Sequence, residues 1–248
     1  MRRLCLRSGV LLAAPLLLVL GAWLVGSGKV GATSSLQYIE RTTGGAASAA
    51  PLPLLVVMHG LGDAPEHFLP LFNELAVPAR VVAVRAPDPW GAGFSWYAID
   101  ADPALKARQI MARADAVAEL LGELTKRRPT LGRPVVSGFS QGGVLSFALA
   151  SYHADKLQGA VPIAGSLPPG MPAPRKPPPW FSVLAFHGRE DRRIPARDGE
   201  RTLQRLKDAG YAGSITTFPG LGHGVNDAMH AQLMAALSEL LASATESP

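Results

Sequence analysis

Short, uninterrupted apolar runs punctuate this chain, with longer stretches of helical periodicity between them. Residues 54–58 (LLVVM) and 80–84 (RVVAV) are too short for stable helices and lack the polar alternation of half-exposed strands. Both read as strands buried on two faces, as in a parallel sheet covered by helices. The runs at 134–136, 157–164, 181–186 and 214–218 extend the series, and the alternating stretch 36–41 predicts one more short strand. Between them, Pro65 opens a predicted helix with Phe68, Leu71, Phe72 and Leu75 at helical spacing. Asp102 caps a longer one beginning near Pro103. Its apolar stripe is Leu105, Ile110, Ala114, Val117, Leu121 and Leu124, and Lys126, Arg127 and Arg128 close it where the helix dipole favours cations. Further helices are expected over 143–152, over 196–209 up to Gly210, and from about 226 to 242. Residues 86–101 read as a long loop. Residues 166–180 carry seven prolines and read as a stiff surface connection, too short for a large lid. Strands alternating with helices imply an α/β fold: a mostly parallel sheet with helices on both faces, right-handed crossovers and no large lid domain. Sites in such sheets gather at the carboxyl ends of the strands.

Composition sharpens this picture at one end of the chain. With 48% hydrophobic and 17% charged residues, the 248-residue chain has the makeup of a folded domain with a real core. The net charge of +5 owes most to Arg2, Arg3, Arg7 and Lys29; beyond residue 32 basic and acidic side chains all but balance. The charge therefore gives no reason to expect nucleic-acid binding. A basic start, an apolar stretch over 10–25 and the small residues Val30-Gly31-Ala32 predict that 1–32 is a signal peptide or an N-terminal membrane anchor. The uncharged residues 8–28 are long enough to serve as a membrane tether. Either fate leaves a catalytic domain over 33–248 outside the cytoplasm, periplasmic or secreted. Cys5 is the only cysteine and lies in that segment, so the domain has no disulfide, cysteine nucleophile or thiolate metal site.

The chemistry centres on Gly138-Phe139-Ser140-Gln141-Gly142, a G-x-S-x-G sequence between a predicted strand and a predicted helix. In that context the turn holds the serine in a strained conformation with its hydroxyl raised above the sheet edge, and the glycines let strand and helix approach. The backbone N–H of Gln141, at the helix start, is then half of a candidate oxyanion hole. A glycine-rich turn with a solvent-facing serine is the alternative that the motif alone leaves open. A serine hydroxyl is a weak nucleophile until a base takes its proton, and a carboxylate on that base fixes its tautomer. His223, among Gly220, Gly222 and Gly224, follows the last predicted strand, and Asp191 follows the strand over 181–186. The order Ser140, Asp191, His223 is that of the α/β-hydrolases. Glu190 rivals Asp191 on spacing alone. His59 and His187 read as structural strand-end residues; His67, His153 and His230 read as solvated or half-buried helix residues. Without His-Glu-x-x-His, a P-loop or a complete G-x-G-x-x-G, no metal or cofactor is expected.

Four motifs in order carry a family resemblance: His59-Gly60-Leu61-Gly62-Asp63, Gly138-Phe139-Ser140-Gln141-Gly142-Gly143, His187-Gly188-x-x-Asp191 with Pro195, and Gly222-His223. From about Leu36 onward the chain resembles the phospholipase/carboxylesterase family of α/β-hydrolases, which includes the acyl-protein thioesterases. The resemblance implies Ser140 as nucleophile, His223 as base and Asp191, rather than Glu190, as acid. It also implies an oxyanion hole from the backbone N–H groups of Leu61 and Gln141. The N-terminal segment, the residues Gly224-Val225-Asn226 and the basic pair Arg192-Arg193 depart from the family pattern. The expected activity is hydrolysis of small-molecule carboxylic or thioesters with short to medium acyl chains, in a groove lined by Trp90, Phe94, Trp96 and Tyr97. An acyltransferase or perhydrolase on the same three residues, and a non-catalytic exported binding protein, are the alternatives.

Overall fold

The structure is a computed structural model that describes residues 31–33 and 36–246. Residues 1–30 of the signal peptide or anchor expected over 1–32 lie outside the described residues. The two apolar runs form β3 (Leu54–Met58) and β4 (Arg80–Val84), each buried at all five positions. They sit side by side in an eight-stranded sheet with β1 (Gly31–Thr33), β2 (Leu36–Thr42), β7 (Val135–Phe139), β8 (Gly159–Ile163), β9 (Ser182–Gly188) and β10 (Ala212–Phe218), ordered β1-β2-β4-β3-β7-β8-β9-β10. From β4 to β10 every pairing is parallel; β2 runs antiparallel to β4, and β1 to β2. Parallel neighbours need crossover connections, and these carry α2 (Pro103–Arg127), α3 (Gln141–His153), α4 (Ala196–Asp208) and the four-residue α1 (Pro65–Phe68); α5 (Asp227–Glu246) follows β10.

Two cores result, one on each sheet face. The first joins the inner faces of α2, α3 and α4 to residues such as Val56, Val82, Val136 and Val183. The second joins Phe68, Phe72 and the α5 residues Met229, Leu233 and Leu237 to the alternate strand positions Leu55, Val57, Val81 and Val161. Helix α2 starts where the sequence places it, with the Asp102 carboxylate accepting from the N–H groups of Ala104 and Leu105 at 3.0 Å each.

Two expectations need correction. The helix opened by Pro65 ends at Phe68 and continues as a single 3₁₀ turn over Leu69–Phe72. Pro70 has no N–H to donate and cannot continue an α-helical ladder. The stretch 86–101 is not wholly a loop: β5 (Asp88–Trp90) and β6 (Gly93–Ser95) pair as a hairpin. That hairpin clasps the turn after β3. Gly62 N–H donates to Phe94 O (2.8 Å) and Phe94 N–H to Asp63 O (3.0 Å), while a methyl on Gly93 would collide with the Gly62 carbonyl.

Candidate active site

Strand β7 turns into α3 at Ser140, whose φ of 56° and ψ of −114° are rare for a residue with a side chain. Such a conformation costs on the order of 1–3 kcal/mol and persists only where surrounding contacts force it. The Ser140 N–H donates to Ile163 O on β8 (2.9 Å), and the Ser140 carbonyl accepts from Val144 N–H (2.9 Å) to begin α3. A Cβ on Gly142 would strike Met58 O, and one on Gly143 would strike Ile163 O. The glycines therefore allow the helix start to press onto two strand ends, which raises the serine above the sheet edge.

The strand ends of β9 and β10 supply the other two groups. Glu190 N–H donates to Leu221 O (3.0 Å), and a Cβ on Gly188 would run into Gly222 O, so the two loops lie against each other. This contact brings residues far apart in sequence into one chain of hydrogen bonds. Ser140 Oγ–H donates to His223 Nε2 at 2.9 Å, and His223 Nδ1–H donates to Asp191 Oδ2 at 2.6 Å. The other Asp191 oxygen accepts the N–H groups of Arg193 (2.8 Å) and Ile194 (3.0 Å). Burial alone would raise the pKa of this carboxyl. The His223 hydrogen bond, the Ile194 N–H, the charge of His223 and the Arg193 N–H outweigh burial and hold it below the ordinary carboxylate range. Asp191 is thus an ionised acceptor, which fixes the His223 tautomer with Nε2 free to accept. Phe139 packs against the imidazole, with ring centroids 4.9 Å apart. Glu190 points to solvent and takes no part.

The remaining predicted residues divide. Leu61 and Gln141 both line the cavity that holds Ser140, and neither N–H donates to a protein acceptor among the described residues. The Gln141 side chain has a role that the motif did not reveal. Its Oε1 accepts Trp96 N–H (2.9 Å) and its Nε2 donates to Tyr97 O (2.9 Å), which pins the segment after β6 to the start of α3. Of the four aromatic residues expected in a groove, Tyr97 alone lines the cavity. Trp96 is fully buried in the core and donates from Nε1 to His59 O (3.0 Å). Phe94 lies under the Arg85 guanidinium at 4.7 Å, and Trp90 stands exposed on the hairpin beside Gly62. The hairpin, invisible to the sequence reading, turns these three away from the site.

His59 is wholly buried: Nδ1–H donates to Gly60 O (2.7 Å) and Nε2 accepts Ala86 N–H (3.1 Å). Burial lowers its pKa, against the raising effects of the Gly60 carbonyl and of Asp63 and Glu66. It is a neutral bridge between the β3 and β4 loops. His187, also buried, donates from Nε2 to Ile194 O (2.8 Å) and lies 3.3 Å from Asp191 Oδ2, so it braces the segment that holds the carboxylate.

The cavity measures about 810 Å³ and opens directly above Ser140 and His223. Its walls include Tyr97 and Ile99 after the hairpin, Ile110 of α2, Val144 of α3, Leu167 to Pro169, Ile194, and the α4 face bearing Asp198, Thr202 and Arg205. The residues after Ala164 carry neither helix nor strand up to β9, so among the described residues no helical lid follows β8. Sequence reasoning missed the α4 face, which shows itself only as the polar side of a strongly amphipathic helix. A hydroxyl with a proton acceptor, the acceptor held by an ionised carboxylate, and two unoccupied N–H groups in one cavity are the parts needed to attack a carbonyl carbon and hold the resulting oxyanion.

The profile of the phospholipase/carboxylesterase family matches residues 46–242. Acyl-protein thioesterase 1 of Gibberella zeae is 33% identical over 96 residues, which is 37% of this chain and 41% of that protein. Carboxylesterase SOBER1 of Arabidopsis thaliana is 32% identical over 98 residues, 37% of this chain and 42% of that protein. The chain thus spans about two fifths of the length of these curated relatives. Among solved structures, the carboxylesterase of Bacillus cereus superposes with a TM-score of 0.72 at 19% identity, covering 84% of this chain and 95% of its own. The carboxylesterase of Mesorhizobium loti gives 0.71 at 20% identity, covering 85% and 98%. The sheet and its helices therefore form an α/β-hydrolase fold.

Proposed function

The chain belongs to the phospholipase/carboxylesterase family, and on that premise we propose that it is an exported serine hydrolase of carboxylic esters or thioesters with short to medium acyl chains. The observation that carries this reading is the unbroken relay from Ser140 Oγ through His223 to Asp191. Ser140 Oγ attacks the acyl carbonyl carbon while His223 Nε2 takes its proton. Asp191 stays ionised and stabilises the imidazolium. The oxyanion of the tetrahedral intermediate is held by the N–H groups of Leu61 and Gln141; losing one such donor costs about 3–4 kcal/mol of barrier. His223 then gives its proton to the leaving alcohol or thiol, and the carbon–oxygen or carbon–sulfur bond breaks. Water, deprotonated in turn by His223, attacks the acyl-enzyme, releases the acid and restores Ser140.

The cavity supports the chain-length part of the reading. Its volume falls within the range of small-molecule sites, and Tyr97, Ile99, Ile110, Val144 and Leu167 give an acyl chain apolar contact without a lid. Export rests on the basic and apolar N-terminal segment of the sequence. The test is hydrolysis of 4-nitrophenyl esters from acetate to dodecanoate by the purified domain and its Ser140→Ala variant. Turnover that peaks at short or medium chains and vanishes with Ser140 is expected. Equal turnover by both proteins overturns the reading.

A further inference from the structure

Four cationic side chains line the cavity: Lys106 of α2, Arg193 in the loop after Asp191, and Arg201 and Arg205 of α4. The domain as a whole is almost neutral, so this clustering is local. The two carboxylates in the same lining are already engaged. Asp198 is paired with Arg201, and Asp63 accepts Ala64 N–H (2.8 Å) and lies 3.4 Å from His67. Three of the four cations are engaged too. Lys106 donates to Ile99 O (2.6 Å), Arg201 to Asp198, and Arg205 to Met171 O (3.3 Å). Arg193 is the cation in this lining whose side chain has no hydrogen-bond or ion-pair partner among the described residues.

The backbone of Arg193 is nevertheless held in place. Its N–H donates to Asp191 Oδ1, the next residue donates to the same oxygen, and Pro195 then leads into α4. Arg193 thus lines the cavity, with an exposed side chain, from a fixed anchor two residues from the carboxylate that orients His223. The adjacent Arg192 is also exposed but faces outside this cavity. A planar guanidinium with five donors matches the paired oxygens of a carboxylate or phosphate. Cations gathered in a concave wall raise the local concentration of anions.

We propose that the ester this enzyme takes carries an anionic oxygen group, and that Arg193 receives it. This inference rests on the esterase reading above, because it concerns the substrate of that same site. The anion belongs to the acyl half or to the leaving half of the ester, and the two sources are separated by choice of probe.

Three chromogenic esters test it: 4-nitrophenyl pentanoate, which is neutral; 4-nitrophenyl hydrogen glutarate, charged on the acyl half; and 4-butyryloxy-3-nitrobenzoate, charged on the leaving half. The quantity read is the ratio of kcat/KM for each anionic ester to that for the neutral one. At least one ratio is expected to fall about tenfold in Arg193→Ala and further in Arg193→Glu, to be largely kept in Arg193→Lys, and to be unchanged in the surface control Arg192→Ala. Raising the ionic strength of wild-type assays should lower the same ratio, a readout that needs no variant. Ratios that are identical in wild type and Arg193→Glu, or insensitive to salt, overturn the proposal while leaving the esterase reading standing. No turnover of any of the three esters overturns both.

Discussion

Two glycine-rich loops at the same edge of the sheet each carry a histidine, and the two histidines have opposite surroundings. In the loop after β3, both ring nitrogens of His59 meet backbone groups, Gly60 O and Ala86 N–H, in complete burial. In the loop after β10, both ring nitrogens of His223 meet side chains, the Asp191 carboxylate and the Ser140 hydroxyl, beside an open cavity. A backbone amide cannot give up its proton, so the first arrangement only fastens two loops together. A hydroxyl can give up its proton and a carboxylate can stabilise the resulting imidazolium, so the second can move protons. Residue type and strand-end position are shared; the partners decide the role.

Substitutions that exchange these roles give the largest effects. Ser140→Ala or His223→Gln should lower kcat by about four to six orders of magnitude, with the thermal midpoint staying near wild type; ester hydrolysis and calorimetry measure the two quantities. Retention of most activity in His223→Gln would erase the contrast between the loops. Asp191→Asn follows, with a loss of about 10⁴-fold in kcat, because an amide in place of the carboxylate favours the wrong imidazole tautomer. That loss should appear at saturating substrate and not in KM, which steady-state kinetics will separate.

Intermediate effects come from the fastening side of the comparison. Gln141→Ala keeps the backbone N–H of that residue but leaves Trp96 N–H without its partner and Tyr97 O with the Ser95 hydroxyl as its remaining donor. A stability loss of about 1–3 kcal/mol is expected in urea titrations, with a higher KM as the Tyr97 wall loosens. His59→Leu strands Ala86 N–H, leaves Gly60 O with the long Asp63 N–H bond (3.4 Å), and should cost a similar amount, while kcat per folded molecule stays near wild type. A collapse of kcat in folded His59→Leu would show that the first loop does more than fasten.

How far the sequence foretold these regions depends on how local their causes are. Strands β3 and β4 were legible to the residue, because runs of five apolar side chains in β3 and four after Arg80 in β4 point to burial on both faces. The elbow was legible because steric demand around Ser140 selects glycines that stand beside it in sequence. The meeting of Asp191 with His223 was readable from order and strand-end position, although spacing alone left Glu190 as a rival, which the structure leaves exposed to solvent. The hairpin β5–β6 was hidden, since three-residue strands carry too little alternation to stand out. Its presence decides that Trp96 is core and Trp90 is exposed, so the groove expected from aromatic content was wrong for three of its four residues. In the sequence Arg192 and Arg193 stand as one basic pair; in the structure Arg193 lines the cavity and Arg192 does not.

The smallest expected effect is the pH dependence of stability, and it too distinguishes the two regions. Burial lowers the pKa of His59 in the folded state, so the folded protein binds fewer protons there than the unfolded chain. The stability from this group is intact above its ordinary value of about 6.5 and is lost as pH falls below it. The pKa of Asp191 is also lowered, so its contribution holds above the ordinary carboxylate value of about 3.9 and is lost only as pH falls through the folded value. Urea midpoints followed from neutral pH to about pH 5 should therefore decline in wild type and flatten in His59→Gln. An equal slope in both proteins would place the titrating group elsewhere.

The most direct measurement is covalent. A fluorophosphonate should add a single adduct to the wild-type protein, and peptide mass spectrometry should find it on Ser140. No adduct should form in Ser140→Ala, and labelling of His223→Gln should slow by orders of magnitude. An adduct on another residue, or labelling of Ser140 that is indifferent to His223, would contradict the assignment of Ser140, His223 and Asp191 as one catalytic unit.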